Sequence, residues 1–302
     1  MSSFLSRVGA APISWGICEA PGWGLQLPVD RVLGEARALG ITAFEQGALG
    51  WLPTDSTEQQ EKLGHYGMTL IGGFVPLVLH DPEQRATMLE RAEQVAAAME
   101  QCGGTMFVTA IVGSLDDWFR PPMDDASWGE LFSNLALIDQ ICAAHHLTQV
   151  VHPHVDTLVE TADEFRRFLH GTTTKFCLDT GHLTIGGVDV VELVGEQFDR
   201  VGVVHLKDVD PRVAARERAG ELDLMQATQA GLFPPLGDGH VQLAQVIDEL
   251  EARGYDGWYV VETDVALTDG EPPIGEGPAL GVGRSLEYLR SLTSAHGTAT
   301  LS

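Results

Sequence analysis

The sequence predicts a single-domain α/β protein, a closed (β/α)₈ barrel, and two observations carry that prediction. Short apolar segments rich in β-branched or aromatic residues alternate with longer segments of helical periodicity, and the alternation repeats eight times along the 302 residues. No G-x-G-x-x-G follows the first such segment, which removes the main signature of the rival fold, a doubly wound dinucleotide-binding sheet.

The predicted strands lie near Ala10–Trp15, Ala43–Gly47, Thr69–Val75, Thr105–Ile111, Thr148–Pro153, Lys175–Asp179, Val201–Lys207 and Gly257–Thr263. Helices fill the intervals. In Gln242–Tyr255, Leu243, Val246, Ile247 and Leu250 recur at three and four residues, and Gly254 marks the stop. Glu83–Gln101 follows the same logic, with Leu89, Ala92, Val95, Ala96 and Met99 on one face and Gly103-Gly104 ending it. Two connections exceed what a barrel needs: Val209–His240, expected to carry a short helix, and Asp264–Gly283, rich in Gly and Pro. Both follow a strand and are expected over the C-terminal mouth, where barrel active sites form. The barrel is expected to occupy 1–293, with 294–302 a disordered tail.

Composition narrows the function classes. Forty-three acidic residues against eighteen Lys plus Arg give a formal charge of −25, which repels a phosphate backbone or an anionic membrane surface. Nucleic acid and membrane are therefore not expected as partners, and the spread of carboxylates along the chain reads as a solvated acidic exterior. Cys18, Cys102, Cys142 and Cys177 form no C-x-x-C pair, as expected of free thiols in a reducing cytoplasm. The N-terminus lacks the apolar core of a signal peptide, and no run of about 18 apolar residues is present to span a bilayer. Assembly into a homo-oligomer is left open.

Four predicted strands end in groups able to bind a metal: His152 in VVHPH, Asp179 in CLDTGH, His205 in VVHLKD and Glu262 in YVVET. Any one of them alone reads as a hydrogen-bonded interior polar group. Four at the same relative position, on strands five to eight, converge above the barrel and suit Mn, Co, Fe or Zn with positions left for a substrate. Lys207 points to the same side of its strand as His205, either as a polarising or proton-donating group or in a salt bridge with Asp208 or another carboxylate. Glu45, ending strand two, is placed to reach a substrate hydroxyl. Trp15 and Trp51 either wall the pocket or simply pack. Asp238 and His240 in LGDGH read as a tight turn first and a site second.

The segments VVHPHVDTLVET, CLDTGHLTIGGVD, VVHLKDVDP and PPLGDGH, followed by GYDGWYVVE, resemble the xylose-isomerase-like TIM barrel superfamily of sugar phosphate isomerases and epimerases, within it the inosose dehydratase branch of inositol catabolism. The likeness runs from about Ala11 to Leu292 and is densest after His152. It implies a metal held by Glu, Asp, His and Glu from strands five to eight, which Asp179, His205 and Glu262 match. The first position departs, since this chain has His152 there; His154 supplies the ligand instead if the register slips by two, and is otherwise a substrate contact. The resemblance also implies a substrate contact for His182.

Two carboxylates and two imidazoles around M²⁺ sum to roughly zero, against about −1 for three carboxylates and one imidazole, so this site is expected to be the stronger Lewis acid. Mn²⁺ or Co²⁺ is expected before Fe²⁺ or Zn²⁺, and any of them before Mg²⁺. The change removes one of the two glutamates a two-base epimerase would use. The expectation is thus a lyase that dehydrates a keto-inositol or related keto-sugar, a small polyhydroxy ketone, through an enolate. Glu262 would be the base, with Lys207 or His182 protonating the leaving group. The alternatives are an isomerase or epimerase sharing that enolisation, elimination of another leaving group from a keto-glycoside, a metal-dependent endonuclease, against which the charge speaks, and a non-catalytic sugar-binding barrel.

Overall fold

Apolar, β-branched segments of this kind pair in parallel when a helix returns the chain to the same edge after each strand. The computed structural model describes residues 4–20 and 22–299, the side chains of 294–299 excepted. Its strands are β1 Val8–Ala10, β2 Ala43–Phe44, β3 Thr69–Leu70, β4 Gly72–Leu77, β5 Met106–Ile111, β6 Thr148–Val151, β7 Lys175–Asp179, β8 Val201–Leu206 and β9 Tyr259–Val261. They form one sheet in the order β3-β2-β1-β9-β8-β7-β6-β5-β4, with every pair parallel. Only Ile71 separates β3 from β4. Its N–H donates to Phe44 O at 2.9 Å, and its carbonyl accepts from the N–H groups of Thr105 and Met106 at 2.8 and 3.0 Å. One residue joins the two ends of the sheet, so β3 and β4 are halves of one stave and the barrel closes on eight.

The helices form where the spacing predicts. Leu243, Val246, Ile247 and Leu250 are the buried stripe of a helix at Leu243–Ala252 that packs against another at Val190–Gln197. A helix at Ala162–Gly171 starts at a capping box, with the Thr161 hydroxyl accepting from Glu164 N and the Glu164 carboxylate accepting from Thr161 N. Two predictions are corrected. The first strand is Val8–Ala10, not Ala10–Trp15; Pro12 starts a 3₁₀ turn over Pro12–Trp15 that Gly16 ends at φ +84°. The 209–240 connection holds two short helices, Pro211–Arg218 and Leu224–Gln229, where one was expected. The last helix, Pro278–Ala299, carries a helical backbone into the expected tail, and 300–302 lie outside the described residues.

Inside the barrel, Ala43, Ile71, Val108, Val150, Cys177, Val203 and Val260 pack as one apolar cluster. Two residues further along five of these strands stand Glu45, His152, Asp179, His205 and Glu262, all buried. Strand side chains alternate, so the polar set faces the same interior one step nearer the C-terminal ends. Two loops are tied together over that end: Leu25 N donates to Leu267 O at 2.8 Å and Trp23 Nε1 to Val265 O at 2.9 Å. Gly24, at φ +124°, allows the approach, since a Cβ there would lie 2.5 Å from Leu267 O. Among the described residues no helix is long and apolar enough to cross a membrane.

Candidate active site and metal centre

β7 and β8 pair with Asp179 opposite His205, which brings the polar ends of two staves together. Asp179 divides its carboxylate. Oδ1 accepts from Gly181 N at 2.9 Å and His182 N at 2.8 Å, capping the short helix Thr180–Ile185, while Oδ2 lies 3.2 Å from His152 Nε2 and 3.9 Å from His205 Nδ1. His205 Nδ1 is 3.2 Å from Glu262 Oε1, and its Nε2 is 3.0 Å from Glu45 Oε1.

Four donors from four adjacent staves thus meet in sequence: His152, Asp179, His205, Glu262. Neighbouring donor atoms along this series lie 3.2 to 3.9 Å apart, near enough that one cation could be shared among them. The Nδ1 atoms of His152 and His205 are buried without a hydrogen-bond partner. That of His205 stands beside carboxylate oxygens of Glu262 and Asp179, a buried ring nitrogen and oxygens that fit a divalent cation, whereas His152 turns its other nitrogen, Nε2, to Asp179. The tightest groups of possible ligands are two triads that share His205: Glu45, His205 and Glu262, and His152, Cys177 and His205, the latter reaching down to the apolar cluster.

Lys207 Nζ lies 2.8 Å from Glu262 Oε2, 3.0 Å from Asp264 Oδ2, 2.9 Å from His182 Nε2 and 3.5 Å from Asp179 Oδ2. Its ammonium also sits 4.9 Å from the Phe233 ring centre. Gly181 makes room for the stem, because a Cβ there would meet Lys207 Cγ at 2.6 Å. The Thr180 hydroxyl holds the backbone, accepting from Lys207 N at 2.9 Å and donating to Lys207 O at 2.7 Å. Asp208 is not the partner of Lys207: its carboxylate accepts from the N–H groups of Val209, Gly237, Gly239 and Val241. The turn containing Asp238 and His240 wraps this carboxylate, and Asp238 pairs with Arg284.

Burial opposes charge at every one of these groups, and the neighbours decide the outcome. Burial alone would lower Lys207, but Asp179, Asp264 and Glu262 raise it well above the usual lysine range. Burial would raise Glu262; His205 and Lys207 hold it well below the usual range, and Lys207 and His152 keep Asp179 low against the same opposition. Burial together with the charges of His154 and Lys207 keeps His182 neutral, so its Nε2 accepts from the ammonium. His154 is pushed down to about 3 by burial and by His152 and Lys207; its Nδ1–H donates to Val155 O at 2.6 Å, and its ring stacks on His182 with centres 3.7 Å apart.

A cavity of about 400 Å³ opens above this cluster, and Glu45, His152, His154, Lys207 and Glu262 line it. Asp179, His205 and His182 stand behind those side chains. Trp15 does not reach the cavity: it is fully buried and its Nε1 donates to Glu35 Oε2 at 2.9 Å. Trp51 donates to Leu27 O and lines an adjoining outer cavity of about 610 Å³. The aromatic walls of the inner cavity are Trp23 and Trp118 from loops and Phe74 from β4, none of which the sequence singled out for the pocket. Asp264 and Glu19 also line it. Burial pushes Asp264 up to about 7 against the pull of Lys207, and pushes Glu19 up to about 8 with Glu45 and Glu262 adding to the effect.

A parallel eight-stave barrel whose strand ends bring a cluster of possible metal ligands beneath an open-mouthed cavity defines a class of barrel enzymes. The model of the xylose isomerase-like TIM barrel family matches residues 33–292, and the chain belongs to that family. It is 32% identical over 270 residues to an inosose dehydratase of Geobacillus kaustophilus, covering 85% of this chain and 87% of that one. Its fold is similar to that of an L-ribulose 3-epimerase, with a TM-score of 0.71, 16% identity and coverage of 98% and 97% of the two chains. A probable 3-DHS dehydratase of Bacillus anthracis, AsbF, shares the fold with a TM-score of 0.68, 14% identity and coverage of 94% and 98%.

Proposed function

We propose that the protein is a metal-dependent carbon–oxygen lyase that dehydrates a keto-inositol (inosose) or a closely related keto-sugar in the cytoplasm, as a step of inositol catabolism. The observation that supports it most is the convergence of His152, Asp179, His205 and Glu262 on the floor of a cavity that Glu262 itself lines. The inosose dehydratase relative supplies the substrate class. A divalent cation held by these four side chains would supply fixed positive charge where an oxyanion develops, and the mixed nitrogen and oxygen donors would suit Mn²⁺ or Co²⁺, with Fe²⁺ or Zn²⁺ next.

The chain's own residues do the rest. Glu262, held ionised, faces the cavity and removes the proton α to the ketone. Lys207, held charged against it, steadies the base and adds a second positive charge beside the developing enolate. His182 keeps the ammonium pointed inward, and His154, neutral and with its Nδ1 proton committed, presents Nε2 to a substrate hydroxyl. Phe74, Trp23 and Trp118 exclude water from the enolate.

One observation favours a second reading, isomerisation or epimerisation: Glu45 is another carboxylate on the cavity wall. The two separate in one experiment. Enzyme reconstituted with Mn²⁺ is incubated in deuterium oxide with scyllo-inosose and a panel of ketoses. A dehydrated dione supports the lyase, and inverted or deuterated sugar without loss of water replaces it with the epimerase.

A further inference from the structure

Dehydration needs a proton for the departing hydroxyl as well as a base for the carbon, and the groups around Lys207 are poorly placed to give one. The ammonium has three hydrogens, and Glu262, Asp264 and His182 take them at 2.8, 3.0 and 2.9 Å. His182 is neutral, accepts from that ammonium and does not line the cavity. Asp264 lines it too, with Oδ1 unpartnered and its carboxyl pushed up to about 7 by burial, but Lys207 holds its Oδ2 at 3.0 Å and pulls against that rise.

Glu19 is arranged differently. It lines the inner cavity and the outer one, at the junction of the two. Its Oε1 is buried with no hydrogen-bond partner, and among the described ion pairs no cation faces it. Hydrogen bonds tie the described residues on either side of it to the rest of the mouth. Gly16, at φ +84°, turns the chain out of the 3₁₀ segment, Cys18 N donates to Gln26 Oε1 at 3.2 Å, and Trp23 and Leu25 are bonded to the 265–267 segment. A carboxyl without a cation, in an apolar wall and near two other carboxylates, keeps its proton around neutrality, as the upward shift of Glu19 records.

We propose that Glu19 is the general acid of the dehydration, a catalytic residue that gives its carboxyl proton to the leaving β-hydroxyl. The inference rests on the lyase reading above. In the step, the α C–H bond breaks and its proton passes to Glu262, the electron pair forms the carbon–carbon double bond, and the β C–O bond breaks. The departing oxygen takes the Glu19 proton and leaves as water. Glu19 ends ionised and Glu262 protonated, and exchange with solvent restores both.

The test uses Glu19→Gln, which preserves shape, in Mn²⁺-loaded enzyme with scyllo-inosose. Dehydration is expected to fall on the order of a hundredfold or more. Exchange of the α-proton with deuterium oxide should persist or rise, because Glu262 is untouched and an enolate that cannot lose its β-hydroxyl returns to substrate. An analogue with fluorine in place of the β-hydroxyl needs no proton to depart, and the variant should eliminate fluoride at close to the wild-type rate. Glu19→Asp should recover part of the dehydration. Unchanged dehydration by Glu19→Gln overturns the proposal, and so does a parallel loss of exchange and fluoride release, with circular dichroism and metal content separating the latter from misfolding. Wild-type enzyme that exchanges the proton but never loses water overturns the lyase reading itself, before any variant is made.

Discussion

Lys207 Nζ lies 2.8 Å from Oε2 of Glu262, and the same ammonium is within 3.5 Å of Asp179. The proposed base and a proposed ligand share one buried cation. Removing one partner of a buried pair typically costs about 3–5 kcal/mol, because the charges left behind have no water. Lys207→Met is therefore expected to be destabilised by several kcal/mol in chelator. Mn²⁺ should restore much of the loss by binding the folded state, while turnover stays low. Chemical denaturation with and without Mn²⁺ measures this; equal stability of variant and wild type in chelator would show that the ammonium is dispensable to the fold.

Asp179 spends one oxygen on a helix cap and aims the other at His152 and His205. Asp179→Ala should lose both functions, costing about 0.5–2 kcal/mol for the cap and reducing bound metal to background. The barrel should stay folded, since the apolar cluster beneath is intact. Elemental analysis and the far-ultraviolet spectrum read the two losses separately, and full metal occupancy in the variant would remove Asp179 from the donor set.

How much of this was legible depends on where the residue stands. Glu45, His152, Asp179, His205 and Glu262 share one layer because side chains alternate along a strand and parallel staves end together, so spacing alone placed them. Lys207 followed by parity from His205. Glu19, Asp264 and Trp118 sit on loops, where no period constrains direction, and only the tied loops show which way they face. Trp15 illustrates the same limit. Alternation was read through Pro12–Trp15, but the chain turns there, and the indole points to Glu35. The break at Ile71 was invisible because one residue serves both halves of its stave.

Gly239 shows what the LGDGH turn is for. A Cβ at that position would lie 2.3 Å from Asp208 Oδ1, inside the ring of backbone donors around that carboxylate. Asp208→Ala leaves three N–H groups of the turn unpaired and is expected to cost about 3 kcal/mol or more. The loss should appear in thermal unfolding with little change in metal content. A variant as stable as wild type would mean that water replaces the carboxylate without penalty.

His145, at the C-terminal end of the helix Asp125–Ala144, joins it to the helix Arg85–Gln101 through Glu100 at 2.8 Å and Glu93 at 2.9 Å. Hydrogen bonds to Glu100 and Glu93 raise its pKa above the ordinary 6.5. The imidazolium is thus favoured in the folded state, so its contribution is complete below the unfolded value and fades as pH rises through the raised one. The melting difference between wild type and His145→Gln should be widest near about pH 5.5 and close toward about pH 9. A difference that does not vary with pH would assign the contact to packing.

The last prediction concerns reaction class and rests on His152. Its Nε2 lies 3.2 Å from Asp179 Oδ2, its ring meets Phe74 edge-on at 5.5 Å, and it lines the cavity beside Glu262. An imidazole there brings no negative charge and no base of carboxylate type, so it gives Glu262 no partner for abstraction and return of a proton on opposite faces, and that role would fall to another wall carboxylate such as Glu45. Loss of a β-hydroxyl needs only one base and one acid. In deuterium oxide, wild-type enzyme should therefore convert scyllo-inosose to a dehydrated product, leaving little deuterium or inverted configuration in recovered substrate. His152→Glu adds a negative charge beside Asp179, which weakens the positive field felt by an enolate, and installs a further carboxylate on the wall. Elimination should slow by about tenfold or more, which corresponds to about 1.4 kcal/mol, while exchange relative to elimination rises. Glu45→Gln in the same background decides which carboxylate returns the proton. If His152→Glu leaves the ratio of exchange to elimination where it was, the residue at this position does not set the reaction class.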